Sequence, residues 1–254
     1  MLVDYHIHAA AHGEYEYSLE WLERFILNAR RRGINEIGLC EHDEFLSRVN
    51  LDVVKMAQAK HKDVRIRLGM EADFIPGQDK QIRQKITAND YDYIIGSIHF
   101  INNWGFDHPD YKDRFDYYDI DDVYAAYFNL VEEMVRSGWF DVVGHLDLVK
   151  IWGHRPKTRS IISYVEPVLN AIKESGMVVE INSAGLRKPV KEIYPAAEIV
   201  RMMFNLNIPV TLSSDAHHPD QVGEDFSKII ELITRAGYRS IIQFDQHRKT
   251  VVSV

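Results

Sequence analysis

Residues Leu2 to Ala10 read LVDYHIHAA. In an extended strand every second side chain points the same way, so Asp4, His6 and His8 share a face and Val3, Tyr5 and Ile7 take the other. On a surface strand water would solvate that polar face. In a buried strand, ionisable groups need a compensating partner. A metal ion is one such partner: histidines two apart can chelate it, and a carboxylate can orient an imidazole from behind.

Six later runs extend the pattern: INEIGLCEHD (34–43), VRIRLGMEAD (64–73), YDYIIGSIHF (91–100), FDVVGHLD (140–147), GMVVEIN (176–182) and IPVTLSSDAHH (208–218). Each is apolar until its C-terminal end, where His, Glu, Asp or Asn appears. Between them lie helix-like stretches. The clearest follows Ser18 as N-cap, repeats apolar residues at Leu19, Leu22, Ile26 and Ala29, and stops at Gly33 after three arginines. Others are expected near 120–138, 160–175, 195–206 and 225–236. Alternating strands and helices imply an α/β fold with a parallel sheet. Seven strands that all end in ligand-type residues suit a closed βα barrel, whose strand ends converge on one mouth, better than an open sheet with one switch point.

Composition narrows the function classes. The chain has 254 residues, 46% hydrophobic and 27% charged, and a net charge of −8. With no linker-like segment it is expected to form one domain over 1–254. The acidic balance argues against unaided nucleic-acid or acidic-membrane binding. Cys40 is the sole cysteine, which excludes an internal disulfide and a zinc site built from thiolates. No signal peptide and no membrane-length apolar run is visible, so a soluble cytoplasmic protein is expected. No glycine-rich nucleotide loop appears.

The strand-end residues are His6, His8, Glu41, His42, Asp43, Glu71, His99, His145, Asp147, Glu180, Asn182, Asp215 and His217. Imidazoles and carboxylates in this number exceed what one ion uses and fit a cluster of two or three. A single strand-end histidine is more often structural, as His99 alone would be, but that explanation weakens when every strand ends alike. His61, in the polar stretch AKHKD (59–63), and His247, in a basic C-terminal tail, are expected to be solvated. The segment 101–119, rich in Asp and aromatics, is either a loop over the mouth or a surface insertion.

DYHIH, CEHD, GMEADF, GSIHF, GHLDL and SSDAH, in this order, resemble the motifs of the polymerase and histidinol phosphatase (PHP) superfamily. EINSAGLRKPVKEIYP (180–195), followed by IPVTLSSDAH, resembles its histidinol-phosphate phosphatases. The similarity runs from Val3 to about His218. It implies a distorted seven-stranded TIM-like barrel and three divalent ions, Zn, Mn or Fe. Carried onto this sequence, it implies a first ion on His6, His8, Glu71 and Asp215. Glu71 bridges to a second on His99 and His145. A third takes His42 and His217 with either His12 or Glu14, because AAAHG (9–13) is shorter than the family's loop. Asp4 is expected behind the ligands.

The implied reaction is metal-dependent hydrolysis of a phosphomonoester, L-histidinol phosphate, in histidine biosynthesis. The metals activate a water for in-line attack on phosphorus. Arg187, and with less support Lys188, are the expected phosphate contacts; Arg155 and Arg159 are weaker candidates on charge alone. Asp147 is a candidate to protonate the leaving oxygen or to orient a ligand. Three alternatives stand beside this one. A PHP phosphoesterase for phosphotyrosine or nucleotides would share the metal motifs. A metal-dependent amidohydrolase would commonly bridge its metals with a modified lysine, where this chain has Glu71. A non-catalytic metal-binding module should have lost ligands.

Overall fold

The computed structural model describes residues 1–254. Seven strands form one parallel sheet in sequence order: β1 (Leu2–Ile7), β2 (Ile34–His42), β3 (Arg65–Asp73), β4 (Tyr93–Ser97), β5 (Val142–Val143), β6 (Val178–Asn182) and β7 (Val210–Ser213). The sheet curls until its ends meet. Just past β7, the Ala216 carbonyl accepts from His8 N–H at 2.8 Å, and Ala216 N–H donates to His6 O at 3.1 Å. The α/β barrel expected from the sequence is thus present and nearly closed. Its shortest member, β5, runs into Gly144; a Cβ there would lie 2.3 Å from Ser97 Oγ, so only glycine lets this segment lie so near β4.

The helices are α1 (Leu19–Arg31), α2 (Leu51–Lys60), α3 (Asp79–Ile86), α4 (Ile120–Ser137), α5 (Ile161–Ser175), α6 (Ala197–Asn205) and α7 (Phe226–Ala236). Ser18 caps α1 by accepting from Trp21 N–H at 3.1 Å. Leu22, Phe25, Ile26 and Ala29 turn inward from that helix. Helices α2 and α3 were not anticipated. They bury only Val54 and Ala57, and only Ile82, too few to write a helical period into the sequence.

The C-terminal residues correct a second expectation. They form an antiparallel hairpin, β8 (Ser240–Asp245) and β9 (Arg248–Ser253), rather than a basic tail. Phe244 of β8 is fully buried against the rings of Tyr5 and Tyr93. His247, in its turn, approaches Asp141 at 2.8 Å. His247 is exposed as expected, but His61 is not freely solvated: its side chain is 12% exposed and pairs with Glu23 at 2.8 Å.

Candidate metal centre

At the C-terminal ends of the strands lies a cavity of about 400 Å³. Its polar lining is His12, His42, Glu71, His99, Asp107, His145, Arg187, Lys188, Tyr194, Asp215, His217 and Gln221, with Leu148 and Ile151 as apolar wall. His6 and His8 lie beneath, wholly buried. Glu71, at the end of β3, is the hub. Its Oε2 is 3.3 Å from His6 Nε2, 3.4 Å from His8 Nε2 and 2.8 Å from His42 Nδ1. Its Oε1 is 3.0 Å from His145 Nε2 and 3.6 Å from His99 Nε2, and accepts from Ser97 Oγ at 2.6 Å. Burial alone would raise this carboxyl, but His6, His42 and His99 around it hold it well below the usual carboxylate range.

These contacts are mostly not hydrogen bonds. His6 Nε2, both ring nitrogens of His8, Glu71 Oε2 and His217 Nε2 are buried and have no hydrogen-bond partner. A native fold rarely leaves so many adjacent polar atoms unpaired. Asp215 Oδ1 completes the first group, 3.5 Å from His8 Nε2 and 3.9 Å from His6 Nε2. Ligands bound to a tetrahedral ion at about 2.0–2.1 Å lie about 3.3 Å apart. The separations among His6, His8, Glu71 and Asp215 are of that size, so this set could hold a divalent cation. Glu71 Oε1, His99 and His145 could hold another. The rings of His12, His42 and His217 gather at the rim, His12 with centroids 5.5 Å from His42 and 4.7 Å from His217. Glu14, the alternative to His12, is exposed and does not line the cavity. The Cys40 thiol comes near His6 and His8 but donates to Tyr5 O at 3.4 Å, and burial pushes its pKa up.

Two carboxylates hold the imidazoles from behind. Glu180 Oε2 is 2.8 Å from His6 Nδ1, and Asp73 Oδ1 is 2.5 Å from His99 Nδ1. Each leaves Nε2 facing the cluster. Asp4, the expected occupant of this role, does something else. The pairing register of β1 shifts between Asp4 and Ile7, and Asp4 accepts instead from Ser214 N–H at 2.9 Å, Ser214 Oγ at 2.5 Å and Gly223 N–H at 2.8 Å. It anchors the backbone just before Asp215, whose φ of 52° is left-handed. Glu180 had been visible as a strand-end acid; nothing but its place at the end of β3 marked Asp73.

Asp147 does not reach the cavity. Buried behind it, the carboxylate meets Lys150 Nζ at 2.8 Å and Ala196 N–H at 2.9 Å. That geometry removes it as proton donor to a leaving group and leaves it bracing the backbone after His145. Arg187 does line the cavity. Its Nη2 donates to Ser214 O at 2.6 Å and Asp215 O at 3.2 Å, while Nη1 has no hydrogen bond and lies 3.4 Å from Glu224. Lys188 is exposed at the rim. Arg155 instead pairs with Glu192 at 2.7 Å, outside the cavity lining. The segment 101–119 folds into a two-residue hairpin (Phe100–Ile101 with Trp104–Gly105) and a 3-10 turn (Pro109–Tyr117), and it sends Asp107 into the cavity wall. No pattern in the sequence marks Asp107 as a site residue.

A family model, the PHP domain, matches residues 4–184. A probable histidinol-phosphatase of Deinococcus radiodurans is 40% identical over 184 residues, covering 72% of this chain and 69% of that one. A histidinol-phosphatase of Bacillus subtilis is 28% identical over 267 residues, covering 90% and 98%. Among solved structures, a histidinol phosphate phosphatase from Lactococcus lactis, in complex with zinc, L-histidinol and phosphate, superposes with a TM-score of 0.81 at 20% identity, covering 98% of each chain. The chain belongs to the PHP domain family.

Proposed function

We propose that this protein is a metal-dependent phosphomonoester hydrolase that converts L-histidinol phosphate to L-histidinol and phosphate in histidine biosynthesis. The observation that carries it is the pair of ligand sets sharing Glu71, the first with buried unpartnered atoms on His6, His8 and Glu71, beside a cavity wall that contains the cations Arg187 and Lys188. The curated relatives bear histidinol-phosphatase names, and the Lactococcus lactis enzyme was solved with both products.

The proposed ligands are His6, His8, Glu71 and Asp215 for one ion, Glu71, His99 and His145 for a second, and His12, His42 and His217 for a third. Bound divalent ions supply Lewis acidity toward the phosphate and toward water. The chain does the rest. Glu71 remains ionised among the imidazoles, with Oε2 facing His6, His8 and His42 and Oε1 facing His99 and His145. Glu180 and Asp73 fix the tautomers of His6 and His99. Arg187 offers Nη1 to a phosphate oxygen while its other nitrogen is held by the Ser214 and Asp215 carbonyls. Water adds to phosphorus, the ester P–O bond breaks, and the alcohol leaves with a proton. Asp107, the lining carboxylate outside the proposed ligand set, suits the ammonium group of the leaving aminoalcohol.

Ligands come from both ends of the chain, so one domain over 1–254 performs the reaction. No helix is long and apolar enough to cross a membrane, and the cytoplasm is the proposed location. A phosphate-release screen over L-histidinol phosphate, phosphotyrosine and nucleotides, with Mn, Zn and Fe supplied separately, tests this. A clear preference for L-histidinol phosphate is expected. Faster turnover of phosphotyrosine or a nucleotide would refute the substrate assignment.

A further inference from the structure

We propose that the Tyr194 hydroxyl is a substrate contact, donating a hydrogen bond to a phosphoryl oxygen of the bound phosphomonoester. The inference rests on the site being a phosphomonoesterase. Seven other tyrosines are buried in this fold, and all have a partner for their hydroxyl: Tyr5 on Glu36, Tyr17 on Glu41, Tyr91 with Asn89, Tyr93 on Tyr5 O, Tyr124 on His154 O, Tyr127 on His145 O and Tyr164 on Asp121. Tyr194 is 1% exposed, and its hydroxyl has none. It lines the same cavity as the proposed metal ligands and Arg187.

The ring is held in place. Tyr194 pairs with Asn182 in an antiparallel bridge, Asn182 N–H to Tyr194 O at 2.7 Å and Tyr194 N–H to Asn182 O at 3.0 Å. One ring edge lies over Gly185, where a Cβ would come within 3.0 Å of two ring carbons. The Lys150 ammonium sits 5.3 Å from the ring centroid, and the His145 ring lies edge-on at 6.4 Å. A packed ring cannot swing its hydroxyl elsewhere, and a buried hydroxyl without a partner is unfavourable. Arg187 Nη1 in the same lining also lacks a hydrogen bond, its only partner being the Glu224 carboxylate at 3.4 Å. These two donors share the cavity with Lys188 and the proposed metal ligands, Asp107 being the one lining carboxylate outside that set, and an anionic acceptor from outside serves both. A phosphoryl group, with several acceptor oxygens, supplies it.

Tyr194→Phe removes the hydroxyl and keeps the ring. With metal content equal to wild type, the variant is expected to lose about tenfold to a hundredfold in kcat/KM. Inorganic phosphate, titrated into the metal-loaded protein, is expected to bind correspondingly more weakly. Its melting temperature should equal or exceed that of wild type, since no intramolecular hydrogen bond is lost. Wild-type phosphate affinity in the variant would overturn the proposal. So would a lowered melting temperature with unchanged kcat/KM, which would place the hydroxyl on a structural water. If wild type releases phosphate from no ester, the phosphomonoesterase reading fails, and the phosphate titration still decides whether Tyr194 binds the anion.

Discussion

Glu180 Oε2 stands 2.8 Å from His6 Nδ1, on the side of the ring away from Glu71. A carboxylate there only accepts, so the proton sits on Nδ1 and the Nε2 lone pair faces the cluster. In Glu180→Gln the amide can present N–H to Nδ1 and drive the proton onto Nε2. Metal affinity is expected to fall about tenfold to a hundredfold. Metal retained after dialysis against graded chelator measures it, and retention equal to wild type would exclude the orienting role.

Glu71→Gln should cost more activity than His12→Ala. Glu71 touches both ligand sets, whereas His12 belongs to the rim group alone. Elemental analysis is expected to find more than one metal equivalent missing from Glu71→Gln and at most one from His12→Ala. Equal losses of metal and turnover in the two variants would contradict the bridging position.

Chelation should abolish phosphate release and lower the melting temperature together. Without ions, ionised Glu71 and the unpartnered nitrogens of His6 and His8 remain buried beside the ionised, half-buried Asp215, and a ligand that binds only the folded state stabilises it. Reloading with Mn, Zn or Fe should restore both properties, to more than one equivalent. Turnover undiminished in metal-free protein would eliminate the metal mechanism.

Arg187→Ala should lower kcat/KM by about one to two decades, the worth of roughly 1.5–3 kcal/mol for a charge-assisted contact, with metal content intact. Arg187→Lys should recover part of that loss, since a lysine carries the charge without the second nitrogen that grips Ser214 O. Steady-state kinetics decides. Wild-type kcat/KM in Arg187→Ala would move the phosphate contact to Lys188.

Asp107→Asn is expected to slow L-histidinol phosphate about tenfold, as a charge-assisted contact becomes a neutral one. An amine-free phosphomonoester such as phenyl phosphate should be nearly unaffected. Equal effects on the two substrates would show that Asp107 does not read the ammonium group.

The barrel and the ligand-type residues were legible because each strand writes them the same way, as an apolar run closed by His or an acid. Short-range alternation failed where the backbone is irregular. A register shift in β1 sends Asp4 to Ser214 and Gly223, and no residue spacing announces a bulge. Asp147 misled for a related reason: position two beyond His145 says nothing about Lys150, which turns back to pair with it. Tyr194 and Asp107 were invisible as site residues because their placement depends on tertiary packing, the first through the Asn182 bridge and the second through the folded 101–119 segment. The C-terminal hairpin lacked a turn signal strong enough to separate it from a tail.

The seam between β1 and Ala216 has a consequence for how the protein acquires its ions. His6 and His8 emerge in synthesis before Asp215 and His217, which follow about two hundred residues later. Until the two ends zip together through His8 N–H and Ala216 O, the first ligand set lacks Asp215, and the His-X-His pair of β1 is a looser chelate. The complete first set therefore belongs to the closed barrel, and Asp215→Asn is expected to weaken the ion held by His6 and His8 even with both histidines in place.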